Sequence, residues 1–134
     1  MNNQNVRNGR LFEDQVYSEL LKSSPVFIRR NEKIREIGIS VDFYVKHADG
    51  SEEFVEVKGG ENVKLNGDSW SGATRTDNVK KAICNGALLK SFKDDARYTI
   101  YFNQPPKTDS GSHRMIEHAK SAKFVDEVII LTSK

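Results

Sequence analysis

The sequence predicts an α/β domain in which helices and strands alternate along the chain. Some segments place apolar residues every three or four positions, as amphipathic helices do, and others alternate apolar with polar residues, as half-buried strands do. The resulting order is helix, strand, strand hairpin, helix, strand, helix, strand. Because 134 residues suffice for one modest core, we expect a single domain over residues 1–134.

The composition is that of a soluble globular protein, with 37% hydrophobic and 30% charged residues. No long apolar run is present, which predicts no membrane span. The polar N-terminus lacks the apolar core of a secretory signal, and the lone Cys84 predicts no disulfide within the chain, so we expect a cytoplasmic protein. The net charge of +2 is compatible with nucleic-acid binding but does not argue for it.

The first helix is predicted over residues 6–23, because apolar residues recur there at helical spacing. These residues are Leu11, Phe12, Val16, Leu20 and Leu21. Glu13 lies at the border of this apolar stripe and has two interpretations. It is either a favourable acid in the first turns of a helix or a third carboxylate that points toward a metal site on the sheet.

A first strand is predicted over residues 26–30, and residues 31–38 fit neither period. This region contains the densest basic run of the chain, namely Arg29, Arg30, Lys33 and Arg35. The run is either a solvated strand edge, which positive charges protect from pairing, or a surface that contacts phosphates.

The most informative stretch is residues 39–58, where two alternating segments flank a short turn. A two-residue turn would set Asp42 opposite Val57 and place a carboxylate among valines, which is costly. A three-residue loop over residues 48–50 instead sets Asp42 opposite Glu56, and Gly50 supplies the left-handed residue that such loops require. Because a one-residue slip turns every side chain to the other face, the apolar pattern selects the three-residue loop.

This register brings Asp42, Glu56 and Lys58 together on one sheet face, since opposed side chains lie about 5 Å apart. Two facing carboxylates repel unless a proton or cation lies between them, and oxygen ligands suit a hard cation such as Mg²⁺. Lys58 could orient a water or stabilise a pentavalent phosphorus, as metal-assisted phosphodiester hydrolysis requires. The alternative is a solvated polar face with a cross-strand salt bridge.

A glycine-rich loop over residues 59–76 leaves directly from the strand that carries the carboxylate, and a loop of this length is often functional. Trp70 either caps the core or stacks on a base or ribose. Lys64 and Arg75 are candidate phosphate contacts.

A second helix is predicted over residues 76–91. Lys80 and Lys81 near its start are either ordinary solvated lysines or phosphate contacts, and Cys84 is expected to be a small buried hydrophobe.

The remaining elements are a strand over residues 97–103, a helix over residues 113–123 and a final strand over residues 125–132. The last strand is almost continuously apolar, which is typical of a strand buried on both faces. His113 and His118 are five residues apart, a spacing unsuited to a helical metal pair, so we interpret them as surface histidines.

Three short motifs appear in order along the chain: Gly9-Arg10-Leu11-Phe12-Glu13, Val41-Asp42 and Glu56-Val57-Lys58. In these motifs and their placement, the chain resembles the PD-(D/E)XK nuclease superfamily, which includes restriction endonucleases and archaeal Holliday-junction resolvases. The resemblance covers residues 9–91. Val41 stands where the superfamily name has proline, at a position that varies among its members.

The resemblance implies a restriction-endonuclease-like αβββαβ core, with a mixed central sheet flanked by helices and extended by a C-terminal helix and strand. It implies that Asp42, Glu56 and the Val57 carbonyl bind Mg²⁺, for which Mn²⁺ should substitute. It also implies that Lys58 is the catalytic lysine and Glu13 an accessory acid.

The function expected from these observations is Mg²⁺-dependent cleavage of DNA, and the resemblance implies products with a 5′-phosphate and a 3′-hydroxyl. The target is either a specific sequence or a DNA structure, and cutting both strands suggests a homodimer. The rival interpretation is a catalytically silent nucleic-acid-binding or accessory protein on the same fold. A third is a small α/β domain whose hairpin charges only keep it soluble.

Overall fold

The computed structural model describes residues 3–59, 62–63, 69–70 and 76–132, with side chains for residues 9–59 and 76–132. The helices are α1 (Asn3–Leu21), α2 (Thr76–Phe92) and α3 (Gly111–Ser121), and a 3₁₀ turn spans Arg35–Ile37. The strands are β1 (Phe27–Ile34), β2 (Ile39–Lys46), β3 (Glu52–Lys58), β4 (Asn62–Val63), β5 (Ser69–Trp70), β6 (Arg97–Phe102) and β7 (Glu127–Ile130).

Five strands form a mixed sheet in the order β1-β2-β3-β6-β7. The pairs β1–β2 and β2–β3 are antiparallel, whereas β3–β6 and β6–β7 are parallel. The short strands β4 and β5 pair separately. The predicted α/β class, with a mixed central sheet flanked by helices, is therefore confirmed. No helix in the described part of the chain is both long and apolar enough to cross a membrane.

Each face of the sheet is covered by helix. The α1 face buries one apolar cluster: Phe12, Val16, Leu20, Phe43, Val45, Val55 and Tyr101. The opposite face packs against α2 and α3 and includes Tyr44, Phe54, Tyr98, Ile100, Phe102, Val79, Leu89 and Ile116. Because successive strand residues point to opposite faces, Glu56 lies on the same face as Phe54, under α2.

The interpretation of this second face as polar and solvated is wrong, because α2 covers it. Tyr44 is 5% and Phe54 4% exposed. The close packing depends on Gly86 in α2, where an added Cβ would lie 2.5 Å from the Phe124 carbonyl oxygen and 2.7 Å from the Tyr98 ring. Only a residue without a side chain lets the helix approach the sheet this closely.

Two further sequence interpretations are corrected. The last strand is only partly buried: β7 is the edge of the sheet and all its residues, Glu127–Ile130, are half-buried. Its apolar residues pack on both faces, with Val128 and Ile130 against one cluster and Ile129 and the following Leu131 against the other. Cys84 is exposed instead of buried, because it lies on the part of α2 that faces away from the sheet.

The close packing at Gly86 yields a stability prediction. Gly86→Ala should lower the free energy of unfolding by about 1–3 kcal/mol, because overpacking outweighs the roughly 1 kcal/mol gain in helix propensity. Urea unfolding measures the change. Gly111→Ala is the matched control, since a Cβ at Gly111 meets nothing within 4 Å. Equal stability of the two variants would contradict the packing argument.

Candidate functional site

The hairpin has the register that the apolar pattern predicts. Phe43 pairs with Val55 and Tyr44 with Phe54. In the loop the Gly50 N–H donates to the His47 carbonyl at 3.0 Å, and Gly50 adopts φ +91°. A residue with a Cβ is strained in that conformation, so glycine stabilises the turn that sets the pairing of β2 and β3.

Beyond the Phe43–Val55 pair, the Asp42 side chain replaces a main-chain group in the hydrogen bonding between β2 and β3. Its Oδ2 accepts a hydrogen bond from the Val57 N–H at 2.7 Å. In a strand the N–H and C=O of one residue point to the same side, so the Val57 carbonyl also faces β2. The Asp42 carboxylate and the Val57 carbonyl oxygen therefore both point into the space between β2 and β3.

Glu56 lies beside Asp42 and is 4% exposed. Its Oε2 accepts a hydrogen bond of 2.7 Å from the side-chain amide of Asn85, a residue of α2. Burial and then the adjacent Asp42 carboxylate raise the pKa of Glu56 to about 8, against the opposing effects of Lys58 and Asn85. At neutral pH the carboxylate pair therefore holds a proton unless another positive charge replaces it.

A second buried acid on β3 shows why Glu56 is unusual. Glu53 is 8% exposed, but its carboxylate has ordinary partners. It accepts a hydrogen bond of 2.5 Å from the Thr99 hydroxyl and lies 2.7 Å from the His47 Nε2. Such partners compensate a buried charge, whereas the neighbour of Glu56 is a second acid.

Lys58 follows on the same face of β3, two residues beyond Glu56, and is half-buried. It pairs in register with Phe102 of β6. Its ammonium charge lowers the pKa of Glu56, which places it within electrostatic reach of the carboxylate pair. The structure therefore brings together the three residues that the hairpin pattern selects.

Glu13 approaches the same site from α1. Burial and then the charge of Asp42 raise the pKa of Glu13, so the two carboxylates interact. A Cβ at Gly59 would overlap the Phe12 ring, which shows how closely the end of β3 passes the helix at the residue before Glu13. The interpretation of Glu13 as a third carboxylate near the pair fits this arrangement.

Arg30 holds Glu13, whereas its place in the sequence indicates either a solvated strand edge or a phosphate contact. Its guanidinium lies 3.3 Å from the Glu13 carboxylate and 3.1 Å from that of Asp14. It also lies 4.6 Å from the centroid of the Tyr17 ring. These contacts fix Arg30 against α1, so it is a positioning group at the rim of the site.

Asn85 is the side chain at the candidate site that sequence reasoning missed. A signal was present: Val79, Ala82, Gly86 and Leu89 form the buried stripe of α2, and Asn85 falls beside it. A polar residue on a sheet-facing stripe requires a partner. Its partner, Glu56, lies 29 positions away in the sequence, so helical periodicity could not identify it.

The proposed nucleic-acid contacts are only partly within the described residues. Lys80 and Lys81 are exposed on α2. Lys64 and Arg75 lie outside the described residues. The backbone of Trp70 pairs with that of Asn62 in the β4–β5 hairpin, and its side chain is likewise outside them.

The donors at this site are oxygen atoms. Among the side chains described, no group of three or more His, Cys, Asp or Glu forms a metal cluster. The two carboxylates and the carbonyl oxygen nevertheless suit a hard divalent cation, because a positive charge between Asp42 and Glu56 would relieve their repulsion.

Comparison with known proteins bears on the fold. No protein-family model matches the chain, and no curated protein matches it. Among solved structures, it is similar to a repair endonuclease from Pyrococcus abyssi, with a TM-score of 0.54 and 16% identity. The match covers 91% of this chain and 47% of the other, so the chain spans about half the length of that structure. The likeness shows that the fold is nuclease-like.

The state of Glu56 yields a pH prediction for metal-free protein. Between its ordinary pKa of 4.5 and the folded value of about 8, the folded chain holds a proton that the unfolded chain has lost. The stability linked to Glu56 is therefore fully present below pH 4.5 and is lost as the pH rises through about 8. Between these two pH values the free energy of unfolding should fall by up to about 1.4 kcal/mol per pH unit for one proton.

Urea unfolding in EDTA from pH 5 to pH 9 measures this slope. Glu56→Gln should flatten it and should be more stable than the wild type at the alkaline end. Glu117→Gln, at an exposed acid of α3, is the control and should keep the wild-type slope. Identical pH profiles for the wild type and Glu56→Gln would refute the burial of an ionisable pair.

Proposed function

We propose that this chain is a divalent-metal-dependent DNA endonuclease with a site of the PD-(D/E)XK type. The observation that carries the proposal is the contact between Asp42 and the buried Glu56, with Lys58 beside them. An acid kept next to another acid in a buried position is costly for folding, and such costs concentrate at functional sites. The nuclease-like fold supports the proposal but does not by itself give an activity.

Asp42, Glu56 and the Val57 carbonyl would hold Mg²⁺, and Mn²⁺ should replace it. The bound cation would supply positive charge to the scissile phosphate and make a bound water more acidic. The Asn85 amide fixes Oε2 of Glu56 and so leaves Oε1 as the second oxygen for binding. These residues thus prepare the donor set before substrate arrives.

Lys58 would hold the attacking water and neutralise charge that develops on the phosphate. Glu13 would orient a water of the site from the α1 side, with Arg30 controlling the direction of its carboxylate. From the resemblance to the PD-(D/E)XK superfamily, we propose that hydrolysis leaves a 5′-phosphate and a 3′-hydroxyl.

DNA is the proposed substrate. The similar solved structure is a repair endonuclease, which supports this choice. Lys80 and Lys81 are exposed and cationic, and with Lys64, Trp70 and Arg75 they are proposed to contact the strand. The proposal assigns one such site to each chain, so cutting of both strands would use a homodimer. Whether a sequence or a structure is recognised can be tested with duplex, flap and four-way-junction substrates.

One observation favours the rival function of a catalytically silent DNA-binding or accessory protein. The Glu13 carboxylate is already engaged by Arg30 at 3.3 Å. The positive charge of Arg30 reduces the attraction of this carboxylate for a cation, which would weaken Glu13 as an accessory acid. An assay of metal-dependent DNA cleavage separates the two functions.

Metal binding should stabilise the folded protein. Because ligands that bind only the folded state raise its stability by mass action, Mg²⁺ or Mn²⁺ at about 100-fold above Kd should add about 2.7 kcal/mol. Thermal unfolding with and without each cation measures the gain. Asp42→Asn should abolish it, whereas Asp94→Asn, at an exposed turn acid, should retain it. The same gain in both variants would place the metal elsewhere.

Cleavage should depend on Lys58 and on the metal. Lys58→Ala should reduce the cleavage rate by about 100-fold or more, as expected when a charge-stabilising group is removed. Labelled duplex, flap and junction DNA with Mg²⁺ or EDTA provide the assay. Lys22→Ala, at an exposed lysine just after α1, is the control. Unchanged DNA binding without metal-dependent cleavage of any substrate would favour the silent binding protein.

A further inference from the structure

A groove between α2 and α3 lies apart from the carboxylate site. Its volume is about 650 Å³, within the usual range for small-molecule sites. Asn85 points to Glu56 on the sheet, whereas the neighbouring Cys84 lines the groove. Ile83, Met115 and Phe124 form apolar walls.

Phe124 is held at the groove by the chain around it. Lys123 adopts φ +64° after α3, and the Phe124 N–H donates to the Ala119 carbonyl at 3.0 Å, which is the Schellman ending of a helix. The close approach of Gly86 fixes the Phe124 carbonyl from the other side. Phe124 is nevertheless 39% exposed, so part of a large aromatic side chain is accessible at the groove.

The polar residues of the groove are basic. Lys80, Arg114 and His118 line it, and no aspartate or glutamate does so among the described residues. None of the three forms an ion pair with another described residue. Arg114 donates its Nε to the Asp109 carbonyl at 3.3 Å, which leaves its terminal nitrogens available. An occupant should therefore carry negative charge next to an apolar, flat body.

We propose that this groove binds a nucleotide unit, with the base against Phe124 and the phosphate at Lys80 and Arg114. The choice of a nucleotide rests on the proposed function, since DNA supplies a phosphate joined to a flat ring system. A free nucleoside monophosphate and a terminal nucleotide of a DNA strand share this chemistry. Aromatic side chains beside cationic ones are the usual elements of such recognition.

Cys84 reports on occupancy, because it is the single cysteine of the chain and lies exposed in the groove. Its reaction rate with a thiol reagent would be measured with deoxyadenosine 5′-monophosphate, a 5′-phosphorylated oligonucleotide, deoxyadenosine, inorganic phosphate and octanoate. The monophosphate should slow the reaction, whereas deoxyadenosine and phosphate alone should not at the same concentrations. Protection by the oligonucleotide only would assign the site to a strand terminus, and protection by both would include free nucleotide.

Two variants test the side chains that would bind the phosphate and the base. Lys80→Glu combined with Arg114→Glu should raise the nucleotide concentration that half-protects Cys84 by about tenfold or more for each cationic side chain that is replaced. Phe124→Leu should raise this concentration by about tenfold because the base no longer stacks on a ring. Lys120→Glu combined with Lys107→Glu is the matched control for the double variant, because it makes the same total charge change at exposed lysines outside the groove. Circular dichroism checks that all variants fold.

Equal or stronger protection by octanoate, or unchanged protection in the double variant, would overturn the proposal. Asp42→Asn should keep full protection, because its side chain is outside the groove. Protection without any DNA cleavage would support the groove while refuting the nuclease. Metal-dependent cleavage without protection by either nucleotide probe would refute the groove alone.

Discussion

The contact between two carboxylates at the open end of the β2–β3 hairpin imposes the strongest constraint on this structure. Asp42 reaches across to the Val57 N–H, and Glu56 is buried next to it under α2. Both placements follow from a turn whose glycine adopts a left-handed conformation, since a shift of one residue would move every side chain to the opposite face. The pair remains costly in the absence of positive charge, because burial and mutual repulsion both oppose ionisation.

The surrounding elements approach the pair closely enough to control it. Gly86 allows α2 to pack against Tyr98 and so brings the Asn85 amide to Glu56. Gly59 performs a similar role at the end of β3, where the chain passes the Phe12 ring and places Glu13 near Asp42. The helices on the two faces thus each place one polar side chain, Asn85 from α2 and Glu13 from α1, beside the carboxylate pair.

Local patterns predict much of this arrangement. The alternation of residues 39–58 and the position of Gly50 predict the hairpin register, and with it the convergence of Asp42, Glu56 and Lys58. The bounds of α2 and β6 also follow closely from periodicity. These features are determined by side chains near one another in sequence, where helix and strand periods are informative.

Long-range contacts account for what the sequence could not predict. The cover that α2 provides over Glu56, the pairing of Arg30 with Glu13 and the exposure of Cys84 all depend on how separate elements pack. The apolar run of β7 resembles that of a central strand, because helix cover and strand neighbours both favour apolar residues. Sequence patterns report burial but do not specify which neighbour provides it.

The proposed chemistry requires that Asp42 and Glu56 together bind a divalent cation. Anomalous diffraction from a crystal soaked in Mn²⁺ tests this requirement most directly. We expect a single strong peak in contact with both carboxylates and the Val57 carbonyl. A saturating soak that yields no peak between Asp42 and Glu56, or a peak only at other residues, would contradict it.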